Sequence, residues 1–467
     1  MKIILKYIIF IYLTIASINV LSNEAPDTFD PFAQVSANPL ATQLLNIAQQ
    51  ARNDLSTAQQ QYKSLDTSEI EQLELPLQIA HLLAKIAIKQ ASNDYLSANA
   101  LIKTLKLFAN RHDEQWILSI YYERLALNNM RQGKYLQAAQ YSTQAIDLAA
   151  SINYLFIEAS ARITRGVSYS KLSKSGEALQ DYIKAHNFFQ QVGNLDKVVT
   201  IYTNQVTLYL DRFEYAQALI MSDNAISTLS LMPQAPTSLV AANYINRAIA
   251  LAYLGKKDEE LTAYLKAQEY ALQANDLEIQ ASVYANISDY FLRYQNYQLA
   301  IERAKRCIEI AEQINQLNLV AICLLNQGLA TIHLNDIQHG IDMIERAHQL
   351  TKQEGMKSTL LDVYTAYTEA YTTINDHETA NKWLTKRYEA VLIKAKHDRE
   401  HDFSEQEKNF KAIIQERENL HQSLKSTMTN KLLSQQSVMH WLWFSLILIS
   451  LLLLAAVWMI IRIKRSA

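Results

Sequence analysis

Chain breakers are scarce in this sequence. Only 8 glycines and 6 prolines occur in 467 residues, and neither type appears after Gly355. Such poverty favours long helices. Cysteine is nearly absent as well: Cys307 and Cys323 are the only two, and they lack metal-ligand spacing. The 11 histidines are scattered. His333, His339 and His348 cluster in sequence but not at the i, i+4 spacing with a carboxylate that a helical metal site uses, so no metal is expected. There is no Gly-rich phosphate loop, no serine elbow and no kinase signature. Acidic runs such as Asp258-Glu259-Glu260 read as solvated helix surface. No enzyme and no cofactor is therefore expected. Formal net charge is −2 and no basic stripe exists, which excludes a nucleic-acid partner.

What the chain does contain is one pattern, repeated. Within Gly133–Ala149, the residues Ala138, Tyr141, Ala145 and Leu148 fall at i, i+3, i+7 and i+10, one face of a helix. Two alanines on that face let another helix approach closely, and Gly133 and Lys134 sit where a turn would deliver the chain into it. Ala178 with Ala185 lies 40 residues on, and Ala218 with Ala225 lies 40 further. Glu260 with Ala267 follows after 42, then Ala300 with Cys307, Gly340 with Ala347, and Ala380, each after 40; Ala98 precedes Ala138 by 40. Sixteen residues before each anchor stands Tyr122, Arg162, Tyr202, Tyr244, Tyr284, Leu324 or Tyr364. A small residue often comes four later, as at Ala126, Gly166, Ala248, Ser288 and Gly328. The one enlarged step coincides with Met232-Pro233-Gln234-Ala235-Pro236, read as a tolerated loop insertion.

This arrangement resembles the tetratricopeptide repeat: a bulky aromatic, a small residue, a later aromatic (Tyr169, Tyr209), a glycine turn and a second helix with two small residues. The resemblance covers residues 78–395. The period exceeds the usual one and no proline closes each repeat, which points to longer-helix members of the superfamily. The fold class expected is all-α, a tetratricopeptide-like helical-hairpin solenoid with ~40-residue repeats, followed by a coiled-coil helix and one transmembrane helix. Tyr202, Tyr244 and Tyr284 are expected to be largely buried between helices.

Both ends carry membrane signals. Residues 1–22 combine a short basic start with an apolar run to about Ala16, and Val20 and Ser22 suit the −3 and −1 positions of a cleavage site. A signal peptide is expected there, with a retained anchor as the alternative; either exports the repeats. Residues 23–39 hold Pro26, Pro31 and Pro39 and read as a flexible leader. Residues 40–77 read as capping helices, the first over 40–64 with Leu44, Leu45, Ala48 and Leu55 on one face. Residues 396–437 show a near a/d seam through Phe403, Phe410, Ile413, Leu420 and Leu424, which a homodimer could use; a single solvated helix is the alternative. Residues 438–461 form the expected transmembrane helix, in which Trp441–Ile461 contains no charge and no proline. At ~1.5 Å per residue that stretch spans ~31 Å, a bilayer core. The basic tail 462–467, with Arg462, Lys464 and Arg465, places the C-terminus in the cytoplasm and the repeats in the periplasm, with the inner membrane as partner.

Asn204, Asn246, Asn286 and Asn326 each stand two residues after the aromatic position, at spacings of 42, 40 and 40. An amide both donates and accepts, which matches the backbone of an extended peptide. Some peptide-binding members of the superfamily present such a ladder on the concave face, and the resemblance implies the same here. The alternative is that each Asn bonds a neighbouring helix. Arg124, Thr164 and Ala366 hold the equivalent place elsewhere. Cys307 and Cys323 are symmetric about position 315, at similar height on facing helices. Two small buried residues with free thiols is the preferred reading, and a disulfide in an oxidising compartment is the alternative.

The order of segments resembles the sensor half of bacterial membrane diguanylate cyclases and histidine kinases. After Ile461 only six residues remain, too few for an output domain. Two functions fit this order. One is a membrane-anchored periplasmic scaffold, non-catalytic, that binds a peptide or protein partner in its concave groove. The other is the input half of a cyclase or kinase, truncated or acting through a partner.

Overall fold

The structure is a computed structural model that describes residues 28–51, 54–66 and 70–399. The expected signal peptide 1–22, residues 400–437 of the expected coiled coil, the expected transmembrane helix 438–461 and the basic tail 462–467 lie outside the described residues. Among the described residues there are only helices and turns, and no helix is long and apolar enough to cross a membrane.

Among the described residues two helices, α1 (Pro39–Gln50) and α2 (Leu55–Lys63), precede eight helical hairpins. The first helices of the hairpins are α3 (Leu75–Ala91), α5 (Gln115–Arg131), α7 (Leu155–Lys171), α9 (Leu195–Asp211), α11 (Thr237–Tyr253), α13 (Leu277–Arg293), α15 (Leu317–His333) and α17 (Lys357–Thr373). The second helices are α4 (Tyr95–His112), α6 (Tyr135–Ser151), α8 (Ser175–Gln191), α10 (Tyr215–Ser230), α12 (Lys257–Gln273), α14 (Tyr297–Gln313), α16 (Ile337–Gln353) and α18 (His377–Arg399). This is a tetratricopeptide-like array.

The alanine anchors are where the helices meet. Ala98, Ala138, Ala178, Ala218 and Ala300 are fully buried on the second helices, as are Ala145, Ala185, Ala225, Ala267 and Ala347 one to two turns on. Where glycine replaces alanine, backbones touch. A Cβ placed on Gly340 of α16 would lie 2.6 Å from the Gly328 carbonyl of α15. Where Glu260 replaces it, a fully buried carboxylate is held by the Arg293 guanidinium and, at 3.4 Å, by the Tyr294 hydroxyl. That pairing offsets the cost of burying the charge.

Each 40-residue hairpin is divided evenly between its two helices. Helices begin at 75, 95, 115, 135, 155, 175, 195 and 215, and the step departs from 20 only across the 231–236 loop. Apart from the 231–236 loop, each turn between these helices ends on a residue in left-handed conformation: Gly at 133, 193, 255 and 355, Asn at 93, 153, 275, 315, 335 and 375, and Asp113, Ser173, Phe213 and Gln295. The next amide then closes the helix end, as Lys134 N–H does on Asn129 O at 2.9 Å. Asparagine tolerates this conformation better than other non-glycine residues. That is how so many turns coexist with 8 glycines.

Besides Glu260, which is buried rather than solvated surface, three further expectations are corrected here. Tyr202, Tyr244 and Tyr284 are half-buried rather than buried. Their rings pack between repeats while the hydroxyls seek partners, Tyr202 with His186 Nε2 at 2.9 Å and Tyr284 with Gln268 Nε2 at 3.2 Å. The fully buried large tyrosines, Tyr182 and Tyr264, lie on second helices. Residues 40–64 are not one helix. The chain breaks before Asp54, whose carboxylate caps α2 by accepting from Thr57 N–H at 3.0 Å, and the buried face is Ala41, Leu44, Ile47 and Ala51. Finally, Cys307 and Cys323 are bonded to each other, Cα–Cα 6.3 Å, joining α14 to α15. The two helices are antiparallel neighbours and the cysteines stand at one level, so the pair closes without backbone distortion.

Candidate functional site

Successive first helices touch along the array, from α5 with α7 through to α15 with α17, and second helices show no such row of contacts. The side with the closer helices is the inner side of the curve. On α9, Val198, Val199, Ile201, Val206 and Leu208 are buried, which leaves Asp196, Thr200, Asn204, Thr207 and Asp211 as the stripe facing inward. The same phase on α11, α13 and α15 contains Asn246, Asn286 and Asn326, so the four asparagines do share the inner face.

Their surroundings divide them. Asn326 is buried, and its Nδ2 donates to Ala285 O at 3.1 Å, tying α15 to α13. Asn286 Nδ2 donates to Ser282 O of its own helix at 2.7 Å. Asn204 and Asn246 are half-buried and have no protein hydrogen-bond partner among the described residues. First helices pack tightly at α5–α7 and along α13–α15–α17, but loosely from α7 to α13. In the tight region the Asn326 amide reaches the backbone of α13 while that of Asn286 turns back on its own helix; Asn204 and Asn246 stand where the helices spread. In the loose region Thr203 Oγ1 and Asn243 Oδ1, 3.1 Å apart, bridge α9 to α11.

The inner face is acidic from α9 onward, where Asp196, Asp211, Glu278, Asp289, Asp362 and Glu369 stand on the stripes against Arg293, while α5 and α7 carry Arg124, Arg131 and Lys171 in the same phase. Asp211 lies 3.6 Å from Lys171 and Asp289 2.8 Å from Arg293. Desolvation raises the Asp362 pKa, with Arg387 pulling the other way. The clustered histidines serve separate contacts: His333 stacks on Tyr297 with ring centroids 4.6 Å apart, His339 pairs with Asp336 at 2.9 Å, and His348 is buried 3.8 Å from Glu345.

The segment read as a flexible leader is instead docked from Thr28 onward. Phe29 N–H donates to Asn153 O at 2.9 Å, and the Thr28 hydroxyl accepts from Leu155 N–H at 3.0 Å. Phe29 meets the Tyr154 ring edge-on at 5.7 Å, and Phe32 meets Trp116 at 5.9 Å. At the end of α1, Gln49 Nε2 donates to Asp196 Oδ2 at 2.6 Å, beside a cleft that the 232–234 loop also lines. Phe29 and Phe32 flanking Pro31 were the available signal, since two aromatics are unusual in a flexible leader.

No family model matches the chain, and no curated protein does. Solved structures do. The apo form of RapI has a TM-score of 0.60 at 13% identity, covering 76% of this chain and 99% of that one. The apo form of the quorum sensor NprR from B. thuringiensis gives 0.59 at 15% identity, covering 78% and 100%. A Rap protein complexed with competence and sporulation factor gives 0.56 at 12%, covering 77% and 99%. At such identities the likeness is one of fold.

Proposed function

We propose that this chain is a non-catalytic, membrane-anchored scaffold whose inner face holds an extended peptide or protein segment outside the inner membrane. The observation that carries this reading is the pair Asn204 and Asn246: two amides in phase on the inner stripe, in the loosely packed centre, with no protein partner among the described residues. Backbone N–H and C=O groups of an extended chain suit them whatever its side chains. Thr200 and Thr207 flank the first, and the acidic stripe favours a segment carrying lysine or arginine. The likeness to a Rap protein solved with competence and sporulation factor supports the same use of the fold.

Export is supported by the basic-apolar start, the uncharged Trp441–Ile461 stretch with its basic flank, and the fully buried Cys307–Cys323 bridge, which requires an oxidising compartment at folding. Asn286 and Asn326 have a lesser part in this reading, since their amides already serve the helices. A second reading, input to a membrane cyclase or kinase, is favoured by one feature: α18 runs 23 residues unbroken toward the segment with the coiled-coil pattern.

The test is the double variant Asn204→Ala, Asn246→Ala. Each lost hydrogen bond contributes about 0.5–1.5 kcal/mol, so capture of the partner in a crosslinking pull-down should weaken roughly 5- to 150-fold with melting unchanged. Undiminished capture by a normally folded variant would refute the assignment.

A further inference from the structure

Three helices meet on one imidazole. His348 of α16 is 5% exposed, and its Nε2 is buried with no hydrogen-bond partner among the described residues. Its ring centroid lies 5.6 Å from that of Tyr367 on α17 and 5.6 Å from that of Trp383 on α18. Those two rings are stacked on each other, centroids 4.1 Å apart. A ring equidistant from both members of a stack stands beside it, at their edges. Aromatic faces carry negative potential and edges positive, so the stack suits a neutral imidazole and not a cation. The charged groups around it add little to favour a cation. On α16, Glu345 Oε2 lies 3.8 Å from Nδ1, but it is half exposed and already accepts from the Tyr367 hydroxyl. Against it stand Lys352 of α16 and Lys386 of α18, whose Nζ is 4.0 Å from the Trp383 ring centroid. On α17 the facing titratable groups are the phenols of Tyr364 and Tyr367. Burial first, then Lys352, lowers the His348 pKa below its ordinary value, with Glu345 pulling the other way. Helix α18 itself is lightly seated. Ala380 is buried and Trp383 half-buried, whereas Leu384, Tyr388, Val391 and Leu392 are exposed. Trp383 is its main anchor, and the imidazole is part of the anchor's seat.

We propose that His348 is a pH-sensitive latch for α18: neutral, it completes the seat of Trp383; protonated, it expels Trp383 and loosens α18 from α16 and α17. The direction follows from linkage. When α18 lifts, water reaches the ring, and the unseated state takes up the proton more readily than the seated one. Seating is therefore fully present above the ordinary imidazole value of about 6.5 and is lost as pH falls below it. Glu345 stays charged through that window, because the Tyr367 hydroxyl, the first cause, holds its carboxyl below the ordinary value. Helix α18 leads in sequence into the segment with the coiled-coil pattern, so the latch acts at the chain's exit from the array. It stands independently of what Asn204 and Asn246 bind.

Hydrogen exchange of the full chain in detergent, corrected for the intrinsic effect of pH on exchange, tests this at about pH 7.5 and about pH 5.0. Protection of α18 should fall at least 5-fold on acidification, against a ceiling of about 30-fold that linkage sets for one such group, while α13 and α15 keep theirs. In His348→Phe and in His348→Gln, neither of which can take up a proton there, the fall should vanish. Protection of α18 that ignores pH, a fall of equal size in the folded variants, or an equal fall in α13 and α15 overturns the proposal. Should both variants melt far below the unaltered chain, the unaltered chain decides alone. Loss of protection in α18 ahead of α13 and α15 upholds the latch, and simultaneous loss overturns it.

Discussion

Tyr182→Ala should destabilise the array by roughly 3–5 kcal/mol, the range for deleting a fully buried aromatic side chain. Tyr182 is 1% exposed. Its ring occupies the one place on α7 without a side chain: a Cβ built on Gly166 would come within 2.6 Å of a Tyr182 ring carbon. The substitution leaves a hole between α7 and α8 that neither helix can close, because Ala178 and Ala185 already hold them at contact distance. The Asp181 carboxylate beside it makes matters worse. It is nearly buried and shared by Arg162 and Arg165 at 3.1 and 2.7 Å, so loosening α8 also loosens that ion cluster. In an array where each repeat touches only its neighbours, the loss should appear first in hydrogen exchange of α7, α8 and the flanking hairpins. Denaturant melts would give the total, and a change under about 1 kcal/mol would mean the two helices do not pack as described.

Removing the disulfide should be nearly as costly. The bridge closes a loop with a sequence separation of 16, for which chain-entropy arguments give about 3 kcal/mol. Cys307 and Cys323 are both fully buried, among Ala285, Ala304 and the partly buried Tyr284. The variant Cys307→Ala, Cys323→Ala should therefore lose about 2–4 kcal/mol, and most of that loss should reproduce in the unaltered chain after reduction. Thiol titration under denaturing, non-reducing conditions should find no free thiol. Two free thiols would restore the reading drawn from the sequence, in which these are small core residues and no more.

That contrast shows where sequence is informative. The alanine anchors were legible because close helix approach admits only small side chains, and the requirement recurs at every hairpin. Glu260 and Gly340 could be placed in register for the same reason, though nothing local tells that Glu260 would find Arg293 or that Gly340 would meet a backbone carbonyl. The even 20-residue spacing of helices is hard to see in the sequence because many residue types share the turn position: Gly133, Asn153, Ser173, Phe213 and Gln295 look unrelated until their backbone angles are known.

The candidate site was legible in phase but not in role. Four asparagines share one stripe, yet whether an amide reaches the next helix depends on packing between helices 40 residues apart, a tertiary quantity. The docked segment was illegible for a related reason. Phe29 acquires its meaning from Asn153 and Tyr154, more than 120 positions away, and three prolines nearby argue locally for a loose chain.

The most direct measurement of the central claim is site-specific photocrosslinking in intact cells. A benzophenone side chain replaces Thr207, exposed on the inner stripe beside Asn204, and in a parallel chain replaces Lys266, exposed on the second helix α12. A discrete crosslinked partner is expected from position 207 and none from 266, with loss of the product when Asn204→Ala and Asn246→Ala are added. The same products from both positions, or a product at 207 indifferent to the two asparagines, would contradict peptide capture on the inner face.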